Sequence, residues 1–308
     1  MNKLQQVKFP DFILLDSQIQ GDYEEVTAQF PGVSDLMYST SQIWWSNGRP
    51  SFVSMLNGNV VIDYNGYPTE DNSGLSIAGT TKMDASIPVL FDLMHETGRE
   101  VKLKHVPAFA IDALASPEDF TIVEEIENNE YLIHAKDLAG LEGGLFGKIR
   151  RKVNRFAREA EGLKLYQPDL SDQDTARKLF AATKQWIEVY GSPNDINRDE
   201  LHALNISLTR ASELGMSALC LDVRDELYGF ALFKHDKQKQ TTVLNHLKVQ
   251  YGVPHAFDYL AHKVAENSVV NGIATLNIEM DLGIPGLREH KLTLRPFDYH
   301  RKYSISPK

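Results

Sequence analysis

Apolar residues recur along this chain in two rhythms, and the places where the rhythm changes predict its elements. Between Gln42 and Tyr64 they alternate with polar residues on both sides of Asn57-Gly58, a pair suited to a tight hairpin turn, with SFVSML running in and VVIDY running out. From Asp84 the period lengthens to that of a helix. Ile87, Leu90, Phe91 and Met94 share a face, Gly98 is placed to end it, and EVKLKHV returns to strand. FTIVEEI and EYLIHA alternate again. The second half opens with a helix from Lys148 to about Glu161. A longer helix follows, in which Ser171 and Asp174 have capping-box spacing and Ala176, Leu179, Thr183, Trp186 and Tyr190 line one side. A third runs from Asp199 to Gly215. SALCLDV, LYGFALFKH and TTVLNHLKVQ are then strands joined by RDE and DKQKQ, turns short enough for antiparallel neighbours. Beyond Gly252 and Pro254 a helix directs Phe257, Leu260, Ala261 and Val264 inward, stops at Asn271-Gly272 and yields to IATLNIE.

Meander, helix, glycine and strand thus occur twice, with ETGREVKLKHV and VVNGIATLNIE in equivalent places. An antiparallel meander closed by one helical crossover, which makes the last pairing parallel, is the layout of the GNAT acyltransferase fold. The expected class is α+β: two tandem GNAT-like domains, each a mostly antiparallel mixed sheet with flanking helices. One larger mixed domain is the alternative. A length of 308 residues suits two domains, and the four glycines of AGLEGGLFGK put the boundary between 1–140 and 141–308.

Composition narrows the class. Hydrophobic residues make up 42% and charged ones 24%, ordinary globular usage that argues against disorder or a fibrous chain. The single cysteine, Cys220, can form no internal disulfide and no thiolate metal cluster. In a short strand with no basic neighbour it reads as a buried, inert thiol. No apolar run is long enough to span a bilayer and the start has no signal-peptide core, so a cytoplasmic protein is expected. The ten histidines are dispersed without a metal motif. His255, Asp258, Tyr259 and His262 share a helical side that reads as polar surface rather than a metal site, and nothing in the pattern calls for a metal or another cofactor. Trp44-Trp45 reads as core at a strand start, with base or sugar stacking as the alternative.

Charge adds the first functional signal. Lys and Arg total 32 against 42 acids, a net −10 that disfavours a general duplex-DNA surface. Basic residues are nevertheless concentrated. Residues 147–158, GKIRRKVNRFAR, carry +6 with no acid, and residues 286–303 carry +3. On a helix Lys148, Arg151 or Lys152, Arg155 and Arg158 form one ridge opposite an apolar stripe of Ile149, Val153, Phe156 and Ala160. Glycines before that helix leave N–H groups open to a phosphate. The plainer reading is a solvated face paired with acids such as Glu142 and Glu159. GGLFGK is not a P-loop: only three residues separate Gly143 from Gly147, and Ile149 stands where Ser or Thr is needed. A phosphate-rich ligand bound without hydrolysis, such as the acceptor end of an RNA or an anionic lipid head, fits better.

The second signal follows the last strand. IATLNIE leads into MDLGIPGLREHKLTLRP, which concentrates Asn277, Glu279, Asp281, Arg288 and Lys291 at a strand end. Asn277 and Glu279 share a strand face, and Gly283, Pro285 and Gly286 are expected to close a tight turn that returns Asp281 toward Arg288 or Lys291. A carboxylate beside a cation can orient a nucleophile, take its proton and stabilise an oxyanion. It can equally be a salt-bridged loop stabiliser.

NIEMDLGIPGLREHKLTLRP with the ending HRKYSI resembles the C-terminal signature of the soluble family related to the catalytic domain of phosphatidylglycerol lysyltransferases. EYLIHAKDLAGLEGGLFGKIRRKVNRF resembles that family's mid-chain segment. The likeness extends over roughly residues 40–305. It implies a tandem GNAT fold and, by relation to the lysyltransferases and the peptidoglycan-building aminoacyltransferases, transfer of an aminoacyl group from a charged tRNA. The site it implies comprises Asn277, Glu279, Asp281, Gly283, Gly286, Arg288 and Lys291, with Gly147, Lys148, Arg151 and Asn154. The membrane-embedded half of the lysyltransferases proper has no counterpart in this sequence. GNAT users of coenzyme A carry Gln or Arg, two residues, Gly, one residue, then Gly or Ala before the crossover helix. Here QYGVPHA places Gly252 one residue after Gln250, and Pro254 and His255 where a glycine should be.

Two functional classes follow. The first is an acyltransferase, aminoacyl transfer from an aminoacyl-tRNA to an amine or hydroxyl, with a small molecule or lipid headgroup as acceptor. Asp281, Glu279 and Lys291 would be catalytic, and Asn277, Arg288, Lys148, Arg151 and Arg155 would bind substrate. The alternatives are a non-catalytic GNAT-scaffold module that binds an anionic ligand, and a coenzyme A-dependent N-acyltransferase.

Overall fold

The computed structural model describes residues 2–32, 35, 50–65, 73–190 and 195–308. Trp44-Trp45 and the residues around them, 41–49, lie outside the described residues. The chain forms two compact units, Met1–Glu130 with His300–Lys308, and Tyr131–Tyr299. The division falls at 130/131, ten residues before the expected 140/141, because the strand that begins at Glu130 pairs with the second sheet. The last residues belong to the first unit because 302–307 pair there.

In the first unit, β1 (Ile13–Leu14), β2 (Phe52–Leu56), β3 (Asn59–Tyr64) and β4 (Gly74–Ala78) form an antiparallel sheet in that order, beside α1 (Gln20–Thr27). The β2–β3 hairpin turns at Asn57 and Gly58, with φ of 54° and 85°. Two successive positive φ values match the twist of the flanking strands, and Asn-Gly adopts them at least cost. α2 (Met83–Glu96) crosses over and buries Ile87, Leu90 and Met94, as its spacing predicts. It leads to β5 (Leu103–Pro107), which lies beside β4 but bonds to β14 (Lys302–Pro307), itself flanked by β6 (Phe120–Glu124). Leu75, Ile77, Ile87, Leu90, Leu103, Val106 and Ile305 share one core.

The second unit holds a seven-stranded mixed sheet. β7 (Glu130–His134), β8 (Leu163–Tyr166), β9 (Ser217–Val223), β10 (Glu226–Asp236), β11 (Thr241–Val249), β12 (Thr275–Asn277) and β13 (Asp298–His300) take the order β13-β7-β12-β11-β10-β9-β8. β8 to β11 are an antiparallel meander. α7 (Ala256–Val270) crosses over, so that β12 pairs parallel to β11, and β7 closes antiparallel on β12. The helices before it are α3 (Ala135–Gly140), α4 (Gly147–Glu159), α5 (Gln173–Tyr190) and α6 (Asp195–Thr209); α8 (Pro285–Thr293) follows. Both units therefore have the expected GNAT-like order of elements. Packing of α3, α4 and α7 on the sheet builds a core that includes Ile133, Ile149, Val153, Phe156, Phe233, Leu260 and Leu276.

Two local expectations are corrected. Asp172, not Ser171, caps α5: its carboxylate accepts from the Asp174 and Thr175 N–H groups at 3.2 and 3.0 Å, while Ser171 donates to Asp169. A carboxylate reaches the first free N–H groups and favours the positive helix end more than a hydroxyl does. The expected tight turn is present but ends earlier, at Ile284, whose N–H donates to the Asp281 carbonyl at 2.9 Å with Gly283 at φ 71°, and Pro285 and Gly286 belong to α8 instead. Pro285 is its first residue, where a fixed φ suits the helix and a missing N–H costs nothing.

Candidate functional site

α4 is amphipathic by spacing: Ile149, Val153 and Phe156 are buried, each burial contributing about 1.5–3 kcal/mol, and the basic side chains occupy the remaining circumference. Those side chains are not equivalent. Arg150 turns back on the glycine loop and donates to the carbonyls of Leu141 and Gly143 at 2.5 and 3.2 Å. Lys152 donates to both oxygens of the buried Asp258 of α7, at 3.1 and 3.0 Å. Arg155 and Arg158 lie against Glu159, so the pairing expected with that acid is present. Lys148 and Arg151 are exposed and have no ion-pair partner among the described residues.

The second cluster begins where the parallel ladder stops. β11 and β12 pair only from Thr241 to Val243 and from Thr275 to Asn277. Beyond that point Asn245, the extra residue of a bulge against β10, donates its amide Nδ2 to Glu279 Oε1 at 2.8 Å. Such a bulge re-aims a side chain. Glu279 has φ 57°, a conformation costly for a residue with a Cβ. It is held there by the buried Asn277, whose Oδ1 accepts its N–H at 2.8 Å, and by Lys291, which donates to its carbonyl at 3.0 Å. Lys291 also donates to the carbonyls of Ile278 and Met280, which occupies the three N–H bonds of its ammonium. The Glu279 carboxylate remains half-buried at the fork of the strands.

Asp281 is fully buried and saturated. Tyr131 donates to it at 2.5 Å, Arg288 makes a two-pronged contact at 2.8 and 2.9 Å, and the Gly283 N–H donates at 2.8 Å. Burial pushes its carboxyl up, but these donors outweigh burial and hold it below the ordinary carboxylate range. Burial and then the Asp281 carboxylate, against the pull of Arg288, raise the Tyr131 phenol well above its usual value.

α4 and α8 face each other across a cavity of about 240 Å³ whose lining includes Lys148, Lys152, Glu289, Leu292 and Arg295. With Lys152 already paired to Asp258, Lys148 and Arg295 meet one acid there. Arg151 and Arg155 are absent from that lining and stand on the outer side of α4. Asp281, Arg288 and Lys291 are bound up in the turn that leads into α8, which therefore serves as wall to the cavity and anchor to the turn. Sequence reasoning missed Tyr131, Asn245 and Asp258 as parts of this arrangement. Asn245 carries a signal, a polar residue that interrupts the alternation of TTVLNHLKVQ; Tyr131 carries none.

Other candidates resolve as structure. Cys220 is buried, which with Asp222 nearby pushes its thiol up to about 12. Asp258, Tyr259 and His262 are buried rather than a polar surface, with His262 Nδ1 at 2.9 Å from the Leu138 carbonyl and Nε2 at 3.1 Å from Glu266. No group of three or more potential metal ligands occurs among the described residues. No helix among them is long and apolar enough to cross a membrane.

The family model described as "Phosphatidylglycerol lysyltransferase, C-terminal" matches residues 43–306. The chain belongs to this family. Membership makes it an acyltransferase on a tandem GNAT-like fold, in agreement with the sheet order and crossovers. No curated protein matches it. Among solved structures it is similar to a conserved protein of unknown function from Bacteroides thetaiotaomicron VPI-5482, at 20% identity over 94% of this chain and 97% of that one, with a TM-score of 0.80. It is also similar to L-PGS from Bacillus licheniformis, at 13% identity, 94% and 91% coverage and a TM-score of 0.61. FemX is similar at 10% identity, 96% coverage of both chains and a TM-score of 0.59. At these identities the likeness concerns the fold.

Proposed function

We propose that this family member transfers an aminoacyl group from an aminoacyl-tRNA to an amine or hydroxyl acceptor. The observation that carries this reading is the cavity between α4 and α8, where Lys148 and Arg295 meet a single acid, Glu289, and can receive phosphates of the donor while Lys152 is held by Asp258. In this mechanism the acceptor nitrogen or oxygen attacks the ester carbonyl at the fork of β11 and β12. A bond from acceptor to carbonyl carbon forms, the ester bond to the ribose oxygen breaks, and that oxygen leaves as a hydroxyl with a proton. Glu279 takes the acceptor's proton, its strained backbone fixed by Asn277 and its carboxylate aimed by Asn245. Asp281 and Lys291 serve as positioning residues, since every polar contact described for them holds the turn. The oxyanion is therefore assigned to a backbone N–H rather than to Lys291. A lipid headgroup and a small amine are both acceptors compatible with this chemistry. The coenzyme A alternative draws no support from the loop before α7, where Pro254 borders a cavity that also exposes Glu159 and Glu161.

The test is transfer of label from tRNA charged with radioactive amino acids into extracted lipid and small-amine pools. Label should move with the wild-type protein. Glu279→Gln should slow transfer at least about 100-fold with an unchanged melting temperature. Lys148→Ala combined with Arg295→Ala should raise KM for charged tRNA about tenfold and flatten its salt dependence. Label that stays on tRNA with every pool, or full activity in Glu279→Gln, overturns the proposal.

A further inference from the structure

α4 has a second cavity at its other end. Its volume is about 280 Å³, its walls include Phe156, Tyr228, Val223 and Val253, and its rim carries Glu159 and Glu161. Aromatic and aliphatic walls offer the faces on which a flat ring stacks. The two carboxylates are already neutralised: Arg155 donates to both oxygens of Glu159 at 3.0 Å, Arg158 lies 3.8 Å from it, and Arg224 is 2.7 Å from Glu161. A free ammonium therefore finds no uncompensated negative charge, whereas each carboxylate retains lone pairs for a neutral N–H donor. From Lys148 at the phosphate cavity to Arg158 beside this one, α4 rises about 15 Å, the span of a few extended nucleotides. Arg151 and Arg155 stand exposed along the way.

We propose that this second cavity is a nucleobase site for the single-stranded 3′ end of the donor RNA, selective for a base with an exocyclic amino group. Adenine and cytosine offer such a group to a carboxylate; uracil does not. The base stacks against Tyr228 and Phe156, its amino group donates to Glu159 or Glu161, and the backbone follows the arginines of α4 toward Lys148 and Arg295. The inference rests on the reading of the donor as an aminoacyl-tRNA and adds what part of that RNA is read.

Fluorescence anisotropy with labelled trinucleotides rCCA and rUUU at low salt tests it. Wild-type protein should bind rCCA about tenfold more tightly than rUUU. Tyr228→Ala should remove most of that preference with its salt dependence unchanged, and Tyr228→Phe should keep it. Glu159→Ala with Glu161→Ala, both exposed and tolerant of change, should bring the rCCA to rUUU ratio close to one even if overall affinity rises. Equal binding of the two trinucleotides by the wild type, or an unaltered ratio in the Tyr228→Ala and glutamate variants, overturns the nucleobase site. If Lys148→Ala with Arg295→Ala still weakens both RNAs in that case, the donor reading survives alone. Absence of RNA binding by the wild-type protein overturns both.

Discussion

The two units run through the same order of elements and use one shared position for opposite ends. The seventh residue after the glycine that follows the crossover helix is His105 in the first unit and Glu279 in the second, and both have positive φ, 56° and 57°. His105 is buried, its N–H and its Nδ1 both close to the carboxylate of Glu125, at 2.9 and 3.0 Å. Burial raises that carboxyl, but His105 and Lys302 outweigh it and hold it low. Glu279 is half-buried and aimed across the opened strands by Asn245. Each position has a buried lysine nearby in its own unit, again in different use. Lys302 lies 2.6 and 3.0 Å from Asp35 and Glu130, whereas Lys291 satisfies three backbone carbonyls. A common backbone irregularity is thus sealed by charge in one unit and bonded to a neutral amide in the other. What separates them is the partner chemistry around the strained residue, not the fold.

The largest effect that would break this comparison is expected at the lysines. Lys302→Met leaves two carboxylates buried without their cation and should destabilise the first unit by about 3–5 kcal/mol. Hydrogen exchange should rise in β5, β6 and β14 while β9 to β12 stay protected. Lys291→Met strands carbonyls rather than charges and should cost about 2–3 kcal/mol, with faster exchange near β12 and loss of transfer. Uniform deprotection in both variants would show that the two lysines do not divide the labour between units.

Acid sharpens the contrast. Burial lowers the His246 imidazole of the second unit to about 4, so as pH falls from 6.5 toward 4 the unfolded chain binds a proton that the folded chain refuses. That unit should lose about 3 kcal/mol over this window. Asp35 of the first unit is shifted the other way: burial and then Glu130 raise it against the pull of Lys302, so the folded state binds the proton first and stability increases as pH falls just above the ordinary carboxylate range. Unit-resolved exchange from pH 7 to 4 should therefore show the second unit loosening first. Replacing His246 by Asn should flatten its profile, and an unchanged acid slope in that variant would remove His246 as the cause.

The smallest expected effect concerns the glycine loop before α4. Arg150→Ala should cost only about 1 kcal/mol, because Arg150 is exposed and its bonds to the Leu141 and Gly143 carbonyls are part-buried and exposed. It should also weaken rCCA trinucleotide binding less than Lys148→Ala does, since Arg150 holds the loop and does not line the cavity. Equal losses in the two variants would make the ridge a diffuse charge rather than a shaped site.

Local chemistry along the chain was enough to determine the Asn57-Gly58 hairpin, the apolar faces of α2 and α4, the meander and the glycine after each crossover helix. Each of these depends on side-chain period or on φ preferences that neighbours in sequence enforce. The same holds for the concentration of charge at residues 147–158 and for the polar residues that follow β12. Only tertiary structure decided which of those charges are available. Arg150, Lys152 and Lys291 are consumed by carbonyls and a carboxylate and Asp281 by the donors of Tyr131, Arg288 and Gly283, while Lys148 and Arg295 meet across a cavity and Asn245 finds Glu279 through a bulge. A titratable group has its role set by what fills its hydrogen-bonding capacity, and for Lys152, Asp281 and Glu279 deciding partners come from segments distant in sequence, brought close by burial of apolar faces that carry no information about them.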